Sequence, residues 1–105
     1  MEYIAATIGA KTFYIEKSRT VAIVDLPQIY EVPEADTEIA GISVYDGKLV
    51  VHFREVTACN AGCGIIVNGD DWKLYGMTAE NIGVKEMDPD VLSPVLPGVW
   101  VVSDD

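Results

Sequence analysis

A chain of 105 residues is one domain's worth of polypeptide, and half of its residues are hydrophobic, too many for a disordered segment. Its net charge of −10, from 17 acidic against 7 basic residues, excludes a nucleic-acid partner, because displacing counterions from a phosphate backbone takes clustered Lys and Arg. The same field disfavours anionic lipid; solubility is the plain reading of the acidity, and an acidic face for a basic partner is the other.

The N-terminus, Met1-Glu2-Tyr3-Ile4-Ala5-Ala6, lacks the positive flank and long apolar stretch of a signal peptide. No apolar run approaches the roughly 20 residues that span a bilayer, so no membrane insertion and a cytoplasmic location are expected. Short runs rich in Val and Ile, residues that fit a pleated surface, then alternate with turn residues. Thr7-Ile8 and residues 11–15 flank Gly9-Ala10, where glycine at the first central position suits a type II′ hairpin. Ser18 is placed to cap a single helical turn over residues 19–23, and Leu26-Pro27 and Val32-Pro33 break any longer helix. Residues 41–45 and 48–56 flank Asp46-Gly47, one of the strongest short hairpin signals. Residues 64–67 and 72–75 flank Asn68-Gly69-Asp70-Asp71, a longer turn. Thr78 is placed to cap a second helical turn over 79–82. Residues 88–97 hold three prolines and read as an extended connection, and a last strand, 99–102, follows Pro97-Gly98.

An apolar 3.6 period nowhere persists for the 10 to 12 residues a helix needs, so the expected class is all-β. A faint internal repeat points to two lobes. Phe13-Tyr14-Ile15 through Val21-Ala22-Ile23 parallels Leu74-Tyr75-Gly76 through Ile82-Gly83-Val84, with apolar residues in register. Many short strands with regular turns favour barrels or sandwiches.

Residues that carry chemistry are sparse. Cys59, Cys63 and the single histidine, His52, are the only soft ligand set, and a structural zinc site usually takes four ligands in tighter pairs. The cysteines sit in a small-residue loop where thiols serve as packing, and a reducing compartment keeps them unpaired. Strand alternation puts His52 on the face opposite Val51 and Phe53, without an identified catalytic partner, which reads as structural or solvated. The acidic pairs Asp70-Asp71, Asp88 with Asp90, and Asp104-Asp105 sit in a turn, a proline segment and a chain end. None has the length and glycine of a calcium loop. No phosphate-cradling glycine pattern occurs. Neither an enzyme nor a metal or cofactor site is expected; a small metal protein on Cys59, Cys63 and His52 is the weakest alternative.

The order of five segments resembles a known family. Residues 26–35, Leu-Pro-Gln-Ile-Tyr-Glu-Val-Pro-Glu-Ala, are followed by Ile39-Ala40-Gly41-Ile42 and by Asp46-Gly47-Lys48-Leu49-Val50-Val51. Ile65-Ile66-Val67 and residues 76–84 come next. This succession is similar to the CheW-like domain, over residues 3–84; each motif alone is hydrophobic patterning, and order and spacing together carry the resemblance. It implies two small five-stranded SH3-like barrels sharing a core, with approximate lobes at residues 20–56 and at 1–16 with 62–105. It also implies a non-catalytic adaptor that joins chemoreceptor cytoplasmic tips to the regulatory domain of the chemotaxis histidine kinase, with no cofactor.

Several positions depart from the family pattern. Its Glu in V-x-E-I aligns with Ala22 and its Arg in R-G with Asp46, so a charge pair near the receptor-facing surface is missing. Ala79-Glu80 stands where Val-Asp is usual, and the final segment is cut down to residues 97–105. The expectation is a divergent, trimmed adaptor with an altered receptor contact; the alternative is a CheW-like scaffold serving a different two-component partner. Expected contact residues are Ala22, Tyr30, Tyr45, Asp46 and Gly47, with Tyr30, Tyr45 and Trp100 as candidate aromatic anchors. Trp72 and Trp100 read more readily as core.

Overall fold

Turn chemistry sets most of the strand pairs. The structure, a computed structural model, describes residues 1–25, 28–32, 37–57, 62–69 and 73–103. Gly9-Ala10 joins β1 (Glu2–Ile8) to β2 (Lys11–Glu16) with a positive φ, 60°, at Gly9 alone, as a type II′ turn requires. Further along, β3 (Thr20–Asp25) precedes β4 (Ile39–Tyr45), and Asp46-Gly47 joins β4 to β5 (Lys48–Phe53) with φ of 50° and 75°, the type I′ pattern. Next, β6 (Cys63–Asn68) pairs antiparallel with β7 (Leu74–Ala79), and β8 (Asn81–Glu86) follows. Pro97-Gly98 joins β9 (Leu92–Leu96) to β10 (Val99–Val102) with φ 81° at Gly98, a type II arrangement. Its twist does not match the strands, and the ladder shifts register between Val99 and Trp100.

The fold is all-β, as expected: two five-stranded sheets among the described residues, ordered β8-β1-β2-β10-β9 and β3-β6-β7-β5-β4. If the first is counted from β8 through β10 and then on to β1 and β2, both have the order first-fourth-fifth-third-second. The N-terminal hairpin therefore completes a sheet begun by the C-terminal strands, and we call this the terminal lobe; β3 to β7 form the middle lobe. One pair differs in sense, since β10–β2 is antiparallel and β5–β7 parallel. The chain changes sheets twice, from β2 to β3 and from β7 to β8. Both halves of the faint sequence repeat fall on these crossings.

Strand alternation turns one face of each sheet toward the other. Ile4, Ala6, Phe13, Ile15 and Val99 of the terminal lobe meet Ile65, Val67, Met77 and Ala79 of the middle lobe in one buried cluster. Each fully buried Ile, Val or Phe there contributes about 1.5–3 kcal/mol of hydrophobic stabilisation. The other face of the terminal lobe carries a second cluster, Tyr3, Tyr14 and Leu92, with Trp100 against it. The Tyr3 and Tyr14 rings meet edge to face at 6.5 Å.

Four sequence expectations change. Residues 17–19 form a short 3-10 turn with no side-chain cap, and the helical turn expected over 19–23 is strand β3. Its β-branched residues gain more by pairing with β6 than a capped turn offers. Residues 79–82 likewise belong to β7 and β8, with Thr78 buried rather than capping. Within 88–97, a 3-10 turn at Pro89–Val91 leads into β9; Asp88 Oδ1 accepts a bond from the Asp90 amide at 2.9 Å, which gives that acidic pair a backbone role. Finally, β6 and β7 pair with β3 and β5, so the sheet begun at residue 20 runs to Ala79, whereas residues 62–79 had been expected in the other lobe.

Candidate functional site

The middle lobe has an inner face of unusual composition. Residues directly opposite in a ladder share a face, and the pairs Val24–Gly64, Gly64–Thr78, Ile66–Gly76, His52–Gly76, Gly41–His52 and Ser43–Val50 link all five strands. Three of these residues are glycine and three are polar. The corresponding face of the terminal lobe is filled by Tyr3, Tyr14 and Trp100. The middle lobe instead encloses a hollow of about 310 Å³, walled by Val24, Tyr30, Ser43, Tyr45, His52 and Ile66 among others. The edge strands β3 and β4 both contribute walls, so the sheet curls toward closure.

His52 is the chemically distinct group there. It is 1% exposed, and its Nε2 lies 2.7 Å from the Ser43 hydroxyl, itself 7% exposed. Its Nδ1 is buried with no hydrogen-bond partner among the described residues. The imidazole rests on the bare Cα of Gly76, where a Cβ would come within 2.7 Å of both ring nitrogens. Burial lowers its pKa from 6.5 to about 4, so the ring is neutral at pH 7 and forms one hydrogen bond where it has two sites.

The expected contact residues divide between two places. Tyr30 forms a one-residue bridge to β4, with Tyr30 N donating to Ile42 O at 2.7 Å and Ile42 N to Tyr30 O at 2.9 Å. Gly41 permits this approach, since a Cβ there would strike the Tyr30 carbonyl. Tyr30, 53% exposed, and Tyr45 thereby stand on one hollow, and Asp46-Gly47 forms the turn beside Tyr45. Ala22 lies on β3 opposite Ile66. Val44 and Leu49, opposite each other on the β4–β5 hairpin, are 62% and 64% exposed, an apolar pair not singled out in the sequence.

Trp100 is half-buried and packs against the aromatic cluster of the terminal lobe, and its Nε1 is buried without a partner among the described residues. Trp72, Cys59, Asp70-Asp71, Asp104-Asp105 and residues 26–27 and 33–35 of the resemblance lie outside the described residues. Cys63 packs on the shared core, with its thiol donating to Ala79 O at 3.3 Å and its pKa raised by burial and by the Asp25 charge. His52 is on the opposite face of the same sheet, so the two cannot ligate one ion.

No family model matches the chain, and no curated protein matches it by sequence. Among solved structures, the scaffolding protein TtCheW from Thermoanaerobacter tengcongensis superposes with a TM-score of 0.68 at 16% identity, over 89% of this chain and 69% of that one. The fold is that of CheW. On the CheW fold this chain carries a buried Ser43–His52 pair that sequence reasoning missed. The signal was present: a two-residue turn at Asp46-Gly47 places Gly41 opposite His52 and Ser43 on the diagonal, within side-chain reach.

Proposed function

We propose that the chain is a non-catalytic adaptor that couples chemoreceptor cytoplasmic tips to the regulatory domain of the chemotaxis histidine kinase. One observation carries the reading: the fold superposes on a scaffolding protein with a TM-score of 0.68. The adaptor works in the cytoplasm through protein–protein contacts and needs no cofactor. The contact surface takes in Tyr30, Tyr45, Asp46 and Gly47 near the hollow, and Ala22 on β3, with Val44 and Leu49 adding exposed apolar area. No helix among the described residues is long and apolar enough to cross a membrane.

A second reading has its own support. Asp46 stands where the family pattern has arginine, and a like charge facing a partner's carboxylate costs several kcal/mol. The backbone adds a reason for the change: Asp46 has φ 50°, a conformation that aspartate tolerates and arginine pays about 1 kcal/mol or more to adopt. On this reading the scaffold serves a different two-component partner.

Calorimetric titration separates the two. Micromolar or tighter binding to the kinase regulatory domain is the expected result, and silence toward both kinase domain and receptor tip, on folded protein, sinks the chemotaxis reading. A double variant, Ala22→Glu with Asp46→Arg, should strengthen receptor-tip binding; unchanged affinity counts against the altered-contact account.

A further inference from the structure

We propose that the outer edge of β4, beside the hollow, is a docking site for an extended basic segment of a protein partner. Charge gives the sign of that partner. Residues 20–47 run from β3 through Tyr30 and β4 to the Asp46-Gly47 turn. They hold six acidic residues and no Lys, Arg or His, and so carry more than half of the net charge of −10. Asp25, Glu31 and Asp46 are exposed, and Asp25 lines the hollow. Lys48, across the ladder from Tyr45, is the first base beyond the stretch. Arg54 gives its guanidinium to the carbonyls of Thr37 and Ile39 at 2.9 and 3.2 Å. A field of one sign speeds encounter with a partner of the other and turns away acidic competitors.

Backbone geometry gives the partner's shape. The pair Tyr45–Lys48 closes a two-residue hairpin, so these two residues exchange their N–H···O bonds with each other. Alternation then turns the N–H and C=O of Ile42 and Val44 away from β5. Tyr30 meets those of Ile42. Those of Val44 meet no partner among the described residues, and Val44 lines the hollow and is 62% exposed. An extended backbone offers a donor and an acceptor at the matching spacing, as Tyr30 already does one step along the same edge. Tyr30, 53% exposed, adds an aromatic face on which a Lys or Arg side chain can lie. The inference rests on the adaptor reading in taking this face as a contact surface. Its probe is neither kinase domain nor receptor tip, so its failure is distinct from silence in the titrations of those proteins.

The test adds the acetylated and amidated peptide Lys-Val-Lys-Thr-Lys-Val-Lys to the full chain and follows amide NMR shifts. Saturable shifts are expected at Val44, Ile42 and Tyr30, with a Kd on the order of 1 mM or tighter, while β1 and β2 amides hold. The same peptide with Glu for each Lys should give no saturable shift. N-methylation of its three central residues removes donors from both edges of the peptide and should weaken binding at least about threefold. Asp25→Asn with Glu31→Gln, both exposed positions, should weaken the basic peptide by about three- to tenfold. An absence of saturable shifts, shifts spread over both lobes, equal binding of the N-methylated or the acidic peptide, or unchanged affinity in the folded double variant each overturns the proposal.

Discussion

Replacing Gly76 by alanine puts a methyl group within 2.7 Å of both ring nitrogens of His52, where non-bonded heavy atoms sit about 3.5–4.0 Å apart. The imidazole must therefore move by about 1 Å. The space open to it is the adjoining hollow, and moving there breaks the contact of its Nε2 with Ser43 at 2.7 Å. Overpacking of this kind costs about 1–3 kcal/mol. Breaking the Ser43 bond and leaving two buried groups unpaired costs about 1–3 kcal/mol more. The sum, about 2–6 kcal/mol, is a large share of the 5–15 kcal/mol typical of a domain. The assay is urea unfolding followed by tryptophan fluorescence at a common m-value, on the native chain, Gly76→Ala, His52→Ala and the double variant. The three heavy atoms nearest the added methyl group all belong to the imidazole, so Gly76→Ala in the His52→Ala background should cost less than about 0.5 kcal/mol. The expected coupling energy is about 2–6 kcal/mol. If the two substitutions add within about 0.5 kcal/mol, His52 does not rest on Gly76 as described and the account of the hollow fails.

Three further outcomes follow from the same residues. His52 has a folded pKa near 4 against 6.5 unfolded, so its neutral burial stabilises fully above pH 6.5 and is lost as pH falls toward 4; the loss at pH 5 is about 2 kcal/mol. Comparing urea midpoints of the native chain and His52→Phe at pH 7 and pH 5 isolates this, and a His52 NMR titration centred near 6.5 would refute it. Gly47→Ala, which forces a Cβ into φ 75°, should cost about 1–2 kcal/mol, while Asp46→Gly stays within about 0.5 kcal/mol; thermal melts read both, and equal melts contradict the type I′ turn. Gly41→Ala pushes a Cβ against the Tyr30 carbonyl and should release the Tyr30–Ile42 bridge. Hydrogen exchange at those two amides should speed at least about tenfold while β6 and β7 amides hold, and unchanged protection at Ile42 would count against the bridge.

Much of the fold was legible in particular residues. Gly9-Ala10 and Asp46-Gly47 announced their turn types because a positive φ is cheap only for glycine and a few polar residues. Strand 99–102 was bounded by Pro97-Gly98 for the same reason. Val21 and Ile23 were harder: an edge strand with exposed apolar residues has no clean alternation, and nearby Ser18 mimics a helix cap. The short strand at Leu92–Leu96 was hidden by Pro94, which a local reading treats as a breaker but an edge strand accepts.

By itself the sequence determined the all-β class, three tight turns, the face on which His52 lies, and the absence of a basic surface for nucleic acid. These depend on single residues or nearest neighbours, where backbone sterics and charge act at short range. Tertiary structure alone decided that the N-terminal hairpin completes a sheet made by the C-terminal strands, and that β6 and β7 join the middle lobe. It also decided that one inner face is packed with aromatic rings while the other is left hollow above a buried histidine. Those outcomes turn on pairings between strands far apart in the chain. No local pattern encodes them, because a strand's alternation says which residues share a face and not which face another sheet will cover.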